Sequence, residues 1–129
     1  MASKQLTAEV YGRSNRRRFS RVRCHAPVAL DFAGGSYRGG VVDLSLRGAL
    51  IAVPDLQWRG AGVEARLCIE DTDSRASWVM RVEMESREGP LFGCRCTHLD
   101  PADLELLAAF LKRRLASPEL IARELQQLG

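Results

Sequence analysis

The chain has 129 residues, of which 46% are hydrophobic, and its formal net charge is +3. This length fits one domain, and the apolar content is sufficient for a buried core. The longest apolar runs fall well short of the roughly 20 residues of a membrane span, so no membrane-spanning helix is expected.

The positive charge is concentrated at the N-terminus. Residues 1–23 hold seven basic residues and one acidic residue, a net +6, which leaves twelve basic and fifteen acidic residues, a net −3, for residues 24–129. A basic arm on a slightly acidic body indicates an anionic partner bound at one place. It does not suit a protein that coats nucleic acid. Residues 1–15 are predicted to be a flexible tail.

The N-terminus has none of the apolar run of a secretory signal, which predicts a cytoplasmic protein. In that compartment cysteines are normally reduced. The chain contains four of them, Cys24, Cys68, Cys94 and Cys96, and we expect free thiols.

Six stretches with strand character follow, separated by short turns. They are residues 24–32, 36–45, 48–53, 62–70, 76–86 and 91–99. The alternation is clearest where Trp78, Met80 and Val82 share one face and Arg81 and Glu83 share the other. Six short, mostly antiparallel strands favour a closed barrel, because closure leaves no unpaired edge. The predicted fold is mainly β, a six-stranded antiparallel β-barrel with C-terminal α-helices.

Two helices are predicted after the last strand. Asp100 is the expected N-cap and Pro101 the first helical residue of one helix, whose last turn carries basic residues. The second helix is predicted over 118–128, with Ile121 at the start of an apolar stripe. The predicted organisation is a tail at 1–15, a barrel domain at 16–115 that includes an arm at 16–23, and a C-terminal helix at 116–129.

The stretch SNRRRFSRVR, residues 14–23, contains five arginines and no lysine. A guanidinium is a planar fork that donates paired hydrogen bonds to a phosphate or to O6 and N7 of guanine. A lysine ammonium is a point charge without that geometry. The cluster therefore hints at a ligand with phosphates and flat edges, although on composition alone a solvated basic tail is the simpler interpretation.

A second motif reads DLSLRG, residues 43–48. The Asp43 carboxylate can accept hydrogen bonds from N1–H and N2–H₂ of a guanine. Ser45 lies two residues further and, on an extended strand, projects from the same face. Gly48 allows a tight turn or a close approach of a ligand. Alone, this pattern also describes an ordinary strand end.

Together the two motifs, Arg17-x-x-x-Arg21 and Asp43-x-Ser45-x-x-Gly48, resemble the signature of PilZ domains, bacterial receptors for cyclic di-GMP. The resemblance continues through GALI and LFGCRCTHLDPADLELLAAFL and covers about residues 16–115. It implies a six-stranded antiparallel barrel and a flexible arginine arm that wraps over the ligand.

The resemblance also implies the ligand-binding residues. Arg17 and Arg21 would hold a guanine Hoogsteen edge and phosphate oxygens, and Asp43 would pair with guanine donors. Ser45 would hydrogen-bond the base or a neighbouring arginine, and Gly48 would leave clearance for the ligand.

Three further arginines extend this set. Arg16 precedes the first motif arginine, a position that in this family tends to accompany two stacked cyclic di-GMP molecules, so a 2:1 stoichiometry is a hypothesis. Arg18 and Arg47 are additional candidates for ligand contacts. The resemblance implies no other cofactor.

The implied mechanism is a disorder-to-order change in which the ligand pins the arm and the altered surface recruits or releases an unidentified protein. We expect no membrane insertion and no DNA or RNA partner. Trp78 is predicted to lie in the core, and the late fifth strand, Val82–Glu85, offers no aromatic platform. Trp58, if exposed in its loop, is the first candidate for a partner contact.

A metal site is the first alternative, because Cys94, Cys96 and His98 alternate along one stretch. Neighbouring strand positions rarely converge on a tetrahedral metal, and no Cys-x-x-Cys pair is present. We therefore expect all three in the core, as structural residues. Cys24 and His25 should face opposite sides, while a Cys24–His98 pair stays open.

Other functional classes are disfavoured. No nucleophile elbow, Walker loop or dinucleotide glycine pattern appears, so no enzyme is expected. The acids are expected at the solvated surface, namely Glu64, Glu70, Asp71, Asp73, Glu83, Glu85 and Glu88. Two alternatives remain open: a small nucleic-acid-binding barrel, which would need exposed aromatics, and a PilZ-type scaffold without a ligand.

Overall fold

The computed structural model describes residues 19–115 and 119–128. It contains seven strands followed by two helices. They are β1 (Val22–Arg23), β2 (Pro27–Phe32), β3 (Gly35–Ser45), β4 (Gly48–Ala52), β5 (Glu64–Glu70), β6 (Ser77–Glu88), β7 (Leu91–His98), α1 (Pro101–Arg114) and α2 (Glu119–Leu128).

Six of the strands close into an antiparallel barrel in the order β3–β2–β5–β6–β7–β4. The ring is completed by the pairing of β4 with β3, in which Ser45 lies opposite Gly48 across a tight turn. The two-residue β1 lies outside the ring and pairs only with β3. The predicted six-stranded barrel is confirmed, and β1 is an addition that its short length hid.

The barrel core follows from the alternation of the strand sequences. Along β6, Trp78, Met80, Val82 and Met84 are all buried, while Arg81 is exposed. Trp78 is 1% exposed, and its ring centroid lies 5.3 Å from that of Phe110 on α1. The prediction that Trp78 is a core residue is confirmed, and this aromatic contact packs α1 against β6.

Helix α1 begins where the sequence predicts, with Asp100 at the N-cap and Pro101 next. The Asp100 side chain makes no capping hydrogen bond, and its Oδ1 lies 2.9 Å from Nε2 of His98. Asp103, in the first turn, instead accepts a hydrogen bond from the backbone N–H of Val79 at 3.2 Å. This bond joins the start of the helix to β6.

Asp71, predicted to lie at the solvated surface, is buried instead, in the turn after β5. Its carboxylate accepts hydrogen bonds from Ser74 Oγ at 2.7 Å and from the backbone N–H of Asp73 at 3.1 Å. It also contacts the Arg113 guanidinium, and Nη2 of Arg114 lies at 4.0 Å. The surface prediction for Asp71 is wrong because strand alternation gives no information on where the last turn of α1 packs.

Replacing Asp71 by asparagine is expected to lower stability in a pH-dependent way. Burial raises the pKa of Asp71, but the hydrogen bonds from Ser74 and the Asp73 amide, with the Arg113 charge, outweigh burial and lower its pKa below the usual value. A depressed carboxyl pKa stabilises the fold above the unfolded-state pKa, and this stabilisation is lost as pH falls through the folded-state pKa. Asp71→Asn should therefore cost about 1–2 kcal/mol at neutral pH, where hydrogen bonds to a charged group are intact.

Urea unfolding of the wild type and Asp71→Asn measures this difference at neutral pH and at about pH 3, below the usual aspartate pKa. The difference should shrink at the lower pH. Asp73→Asn is the matched control, because the Asp73 side chain is 81% exposed and its pair with Arg114 is worth little. An equal loss for Asp71→Asn at both pH values would contradict the role of the carboxylate charge.

Helix α2 packs through the predicted stripe, with Ile121 fully buried and Leu125 and Leu128 partly buried. Glu124 is buried on the same helix. Among the residues described, no helix is long and apolar enough to cross a membrane.

Candidate functional site

The two sequence motifs are brought together by β1. This strand pairs with β3 so that Val22 lies opposite Leu44 and Arg23 opposite Asp43. The backbone N–H of Cys24 donates to the carbonyl of Val42 at 3.0 Å, which extends the contact past the strand. The end of the arginine segment is therefore held alongside the strand that carries the second motif.

Arg21 and Asp43 meet at this junction. The Arg21 Nη1 atom lies 3.5 Å from Asp43 Oδ1, and the two residues are only 6% and 2% exposed. Burial raises the pKa of Asp43, and the neighbouring Arg21 and Arg23 charges offset only part of this. Arg21 and Asp43 come from two separate motifs, and each is predicted to contact the ligand. The structure places them side by side, in a poorly hydrated environment.

Ser45 and Gly48 build the turn between β3 and β4. The buried Ser45 Oγ accepts a hydrogen bond from the Arg47 N–H at 3.1 Å and lies 3.5 Å from the Gly48 carbonyl oxygen, to which it donates. A Cβ atom on Gly48 would lie 2.3 Å from the carbonyl oxygen of Cys94 on β7. The close approach that requires glycine here is thus to the protein's own backbone, and ligand clearance stays a prediction.

The aromatic residue of the arginine segment lies at the same place. Phe19 is 5% exposed, and the Cζ atom of Arg47 lies 5.4 Å from the centroid of its ring. This geometry suits a cation–π contact between the arm and the β3–β4 turn. The position of Phe19 inside RRRFS was visible in the sequence, but its packing role was not predicted.

Glu124 of α2 holds the arm from the other side. Its Oε2 atom accepts hydrogen bonds from the Ser20 N–H at 2.9 Å and from Ser20 Oγ at 2.7 Å. The residue is 5% exposed. Sequence reasoning missed this contact, although an acid at helical spacing within the stripe of Ile121, Leu125 and Leu128 was a signal for a buried polar role.

Of the predicted ligand residues, Arg21, Asp43, Ser45, Arg47 and Gly48 form one continuous region around the β3–β4 turn. Arg16, Arg17 and Arg18, which begin the predicted arm, lie outside the described residues. The whole predicted tail, residues 1–15, also lies outside them. The ligand contacts of the three arginines stay predictions.

The two cysteines of β7 pack in the barrel core. Cys94 and Cys96 are buried, and burial raises the pKa of Cys94 to about 12 and also raises that of Cys96. Such thiols are poor nucleophiles and poor metal ligands at neutral pH. Cys24 is buried and His25 is exposed, as their adjacency predicts. The described residues contain no cluster of three His, Cys, Asp or Glu side chains able to hold a metal ion.

The prediction that His98 lies in the core is wrong. His98 was expected in the core, but its side chain is 59% exposed and pairs with Asp100, because a register shift in the β6–β7 pairing, between Val82–Cys96 and Arg81–His98, interrupts the alternation at Thr97. Trp58 is a candidate partner contact only if it is exposed in its loop. It is instead partly buried, with its ring centroid 6.2 Å from that of Phe92, so much of its apolar surface is already covered.

Comparison with known families identifies one domain family. A family model for the PilZ domain matches residues 15–113, which is most of the chain. No curated protein sequence matches the chain.

Solved structures with the same fold include three proteins, two of which are described as PilZ domains. The Bacillus subtilis inhibitor of motility MotI/DgrA aligns with a TM-score of 0.66 at 15% identity, over 80% of this chain and 52% of that one. The PilZ domain of Escherichia coli YcgR, solved with c-di-GMP, gives 0.65 at 17% identity, over 88% and 98%. The PilZ domain of CeSA from a cellulose-synthesizing bacterium gives 0.59 at 14% identity, over 70% and 96%. This chain therefore spans about half the length of MotI/DgrA, and at these identities the likeness shows the fold alone.

Proposed function

This chain belongs to the PilZ domain family, and we propose that it is a receptor for cyclic di-GMP, which binds where the arginine arm meets the β3–β4 turn. The YcgR domain with the same fold was solved with this ligand. As a receptor for a bacterial second messenger, the protein would act in the cytoplasm and without catalysis.

The pair formed by Arg21 and Asp43 carries the proposal. These two residues come from different motifs, yet their side chains lie 3.5 Å apart. A guanine presents acceptors, N7 and O6, on one edge and donors, N1–H and N2–H₂, on another. A guanidinium beside a carboxylate supplies the matching donors and acceptors within one site.

Binding would work as an exchange of partners. The Arg21 guanidinium would turn from Asp43 to a phosphate or to the Hoogsteen edge, and Asp43 would accept from the guanine donors instead. Burial already raises the pKa of Asp43, so the neighbouring arginines do not fully compensate the charge of its carboxylate in the free protein. New hydrogen bonds from a ligand would stabilise this carboxylate without a further desolvation cost.

Arg16, Arg17 and Arg18 would complete the site from the arm. Their guanidinium groups suit the two phosphates of the ligand and, from Arg16, a second stacked molecule. Ordering a chain segment costs about 1–2 kcal/mol per residue, so several bidentate contacts are needed for the arm to close. Affinity in this proposal depends on how many arm arginines reach the ligand.

The signal would leave the site through α2. Ser20, one residue before Arg21, is bound to Glu124 through both its N–H and its Oγ. A ligand that repositions Arg21 therefore acts on the Ser20 contact and on the packing of α2. The altered surface of the arm and α2 would recruit or release a downstream protein.

Calorimetric titration of the wild-type protein tests the proposal, with cyclic di-GMP as ligand and cyclic di-AMP and GTP as controls. We expect saturable binding of cyclic di-GMP alone, and a stoichiometry near two would support the role of Arg16. A dissociation constant of about 1 µM corresponds to a binding free energy of about −8 kcal/mol. Absence of binding at about 100 µM ligand would therefore overturn the proposal. A polynucleotide bound with a steep salt dependence would favour the nucleic-acid-binding alternative.

A further inference from the structure

A row of basic side chains crosses three strands on the outer surface of the barrel. Arg66 of β5 lies directly opposite Arg81 of β6, and Arg81 lies opposite His98 of β7. All three residues are exposed. Like charges directly opposite each other on a sheet are destabilising, so an arrangement of this kind calls for a compensating partner.

Partners are present only at the two ends of the row. Arg66 Nη1 lies 3.2 Å from Asp31 Oδ2 on β2, and His98 Nε2 lies 2.9 Å from Asp100 Oδ1. Within residues 19–115 and 119–128, the side chain of Arg81 in the middle has no hydrogen bond or ion pair. The uncompensated guanidinium is therefore the central one.

All three residues of the row line a cleft of about 320 Å³. The cleft is lined by Arg66, Val79, Arg81, His98, Asp100 and Asp103. Asp103 uses Oδ1 to accept from the Val79 N–H, and Asp100 uses Oδ1 for His98, so each acid has a second oxygen that these contacts do not use. The lining of the cleft thus combines two guanidinium groups and an imidazole with two carboxylates and one apolar side chain.

We propose that this cleft is a second ligand site, which takes a small zwitterionic molecule of the amino-acid class. The ligand's carboxylate would bridge Arg81 and Arg66, and its ammonium group would bind Asp100 and Asp103. In the six-strand ring, β5 and β6 lie opposite β4 and β3, so this site is separate from the one proposed for cyclic di-GMP.

The charges of the residues that line the cleft favour a zwitterionic ligand. A polyanion such as a nucleotide would be drawn to Arg81 but repelled by the two carboxylates, and a diamine would be attracted by the acids but repelled by the arginines. A molecule that carries both charges a few ångströms apart can pair with the guanidinium groups and with the carboxylates at the same time. The volume lies at the lower limit of small-molecule pockets, which fits a ligand of amino-acid size.

An NMR titration of the full chain tests the site, with the Arg81 Nε–Hε and the Val79 and Asp103 amide signals as reporters. The probes are glycine, glutamate, lysine and arginine, each added up to about 10 mM, since a site of this size is expected to bind with a dissociation constant near 1 mM. Succinate and putrescine test a dianion and a dication. Arg81→Gln removes the central charge, and Arg38→Gln removes an exposed arginine from β3 as the matched control.

Saturable shifts with at least one amino acid, lost in Arg81→Gln and kept in Arg38→Gln, would support the proposal. Either of two results would overturn it: no shift with any of the four amino acids, or shifts from succinate or putrescine as large as those from the amino acids. Shifts that persist in Arg81→Gln would also overturn it. Thermal unfolding of Arg81→Gln should show an unchanged or slightly raised midpoint, because a like-charge contact is removed, which separates loss of binding from loss of fold.

Discussion

Replacing Arg21 by alanine is expected to lower the affinity for cyclic di-GMP by roughly 30-fold to several thousand-fold, which corresponds to about 2–5 kcal/mol. The proposed site uses Arg21 for paired hydrogen bonds, and its loss also leaves the buried Asp43 carboxylate without the guanidinium that lies 3.5 Å away. Calorimetric titration of the variant against the wild type measures the change directly.

Arg38→Ala serves as the control for charge. It removes the same charge from an exposed position on the same strand as Asp43, and its affinity for cyclic di-GMP should be close to that of the wild type. Equal losses in Arg21→Ala and Arg38→Ala would show that general electrostatic attraction, and not a specific contact, holds the ligand.

Stability distinguishes a ligand contact from a folding defect in Arg21→Ala. The pKa of Asp43 is raised by burial, and loss of the neighbouring cation should raise it further. A carboxyl with a raised folded-state pKa lowers stability as pH rises from its unfolded value near 3.9 through the folded-state pKa. The Arg21→Ala variant should therefore be less destabilised at mildly acidic pH than at neutral pH. Its binding of cyclic di-GMP is best measured at the lower end of the pH range in which the variant is folded.

Replacing Gly48 by alanine is expected to destabilise the barrel by about 3 kcal/mol, because the added Cβ overpacks a closed interface. The atom it meets, the Cys94 carbonyl oxygen at 2.3 Å, belongs to the backbone of β7 and cannot rotate away. Strands β4 and β7 would have to separate near the pairing of Gly48 with Arg95. Thermal unfolding should show a fall in the midpoint of about 10 °C for a domain of this size.

Gly40→Ala is the matched control on β3. Its new Cβ would lie 3.9 Å from the nearest atom, the Ala26 carbonyl oxygen, which is an ordinary contact. If Gly48 served ligand clearance alone, Gly48→Ala would unfold at the wild-type temperature and lose only affinity. That result would contradict the packing role given to this glycine.

The barrel could be predicted from the sequence because its signals are local. Alternation along residues 76–86 reports directly which side chains of β6 are buried, and turn residues mark where each strand ends. The strand β1 escaped prediction because two residues carry no period, and it forms only because β3 offers a partner.

The polar contacts could not be predicted because they depend on distant parts of the chain. Asp71 is buried by a helix that begins 30 positions later, at Pro101, and Glu124 is bound by a serine from the opposite end. The prediction for His98 was wrong for a related reason, since the alternation that buries Cys94 and Cys96 is interrupted by a register shift against β6 that the sequence of β7 does not show. Periodicity describes one strand or helix at a time, whereas the environment of each of these residues is set by contacts with a second element.

The contact between Ser20 and Glu124 joins residues 104 positions apart, so nearly the whole chain lies within the loop that it closes. Closing so long a loop has a high entropic cost unless other contacts have already brought its ends together, and the barrel does this. The contact is thus expected to form late in folding. It is also expected to open before the barrel does, because Ser20 and Glu124 can separate while every barrel strand keeps its neighbours. The contact between Ser20 and α2 is therefore expected to open and close at a fraction of the free energy of global unfolding.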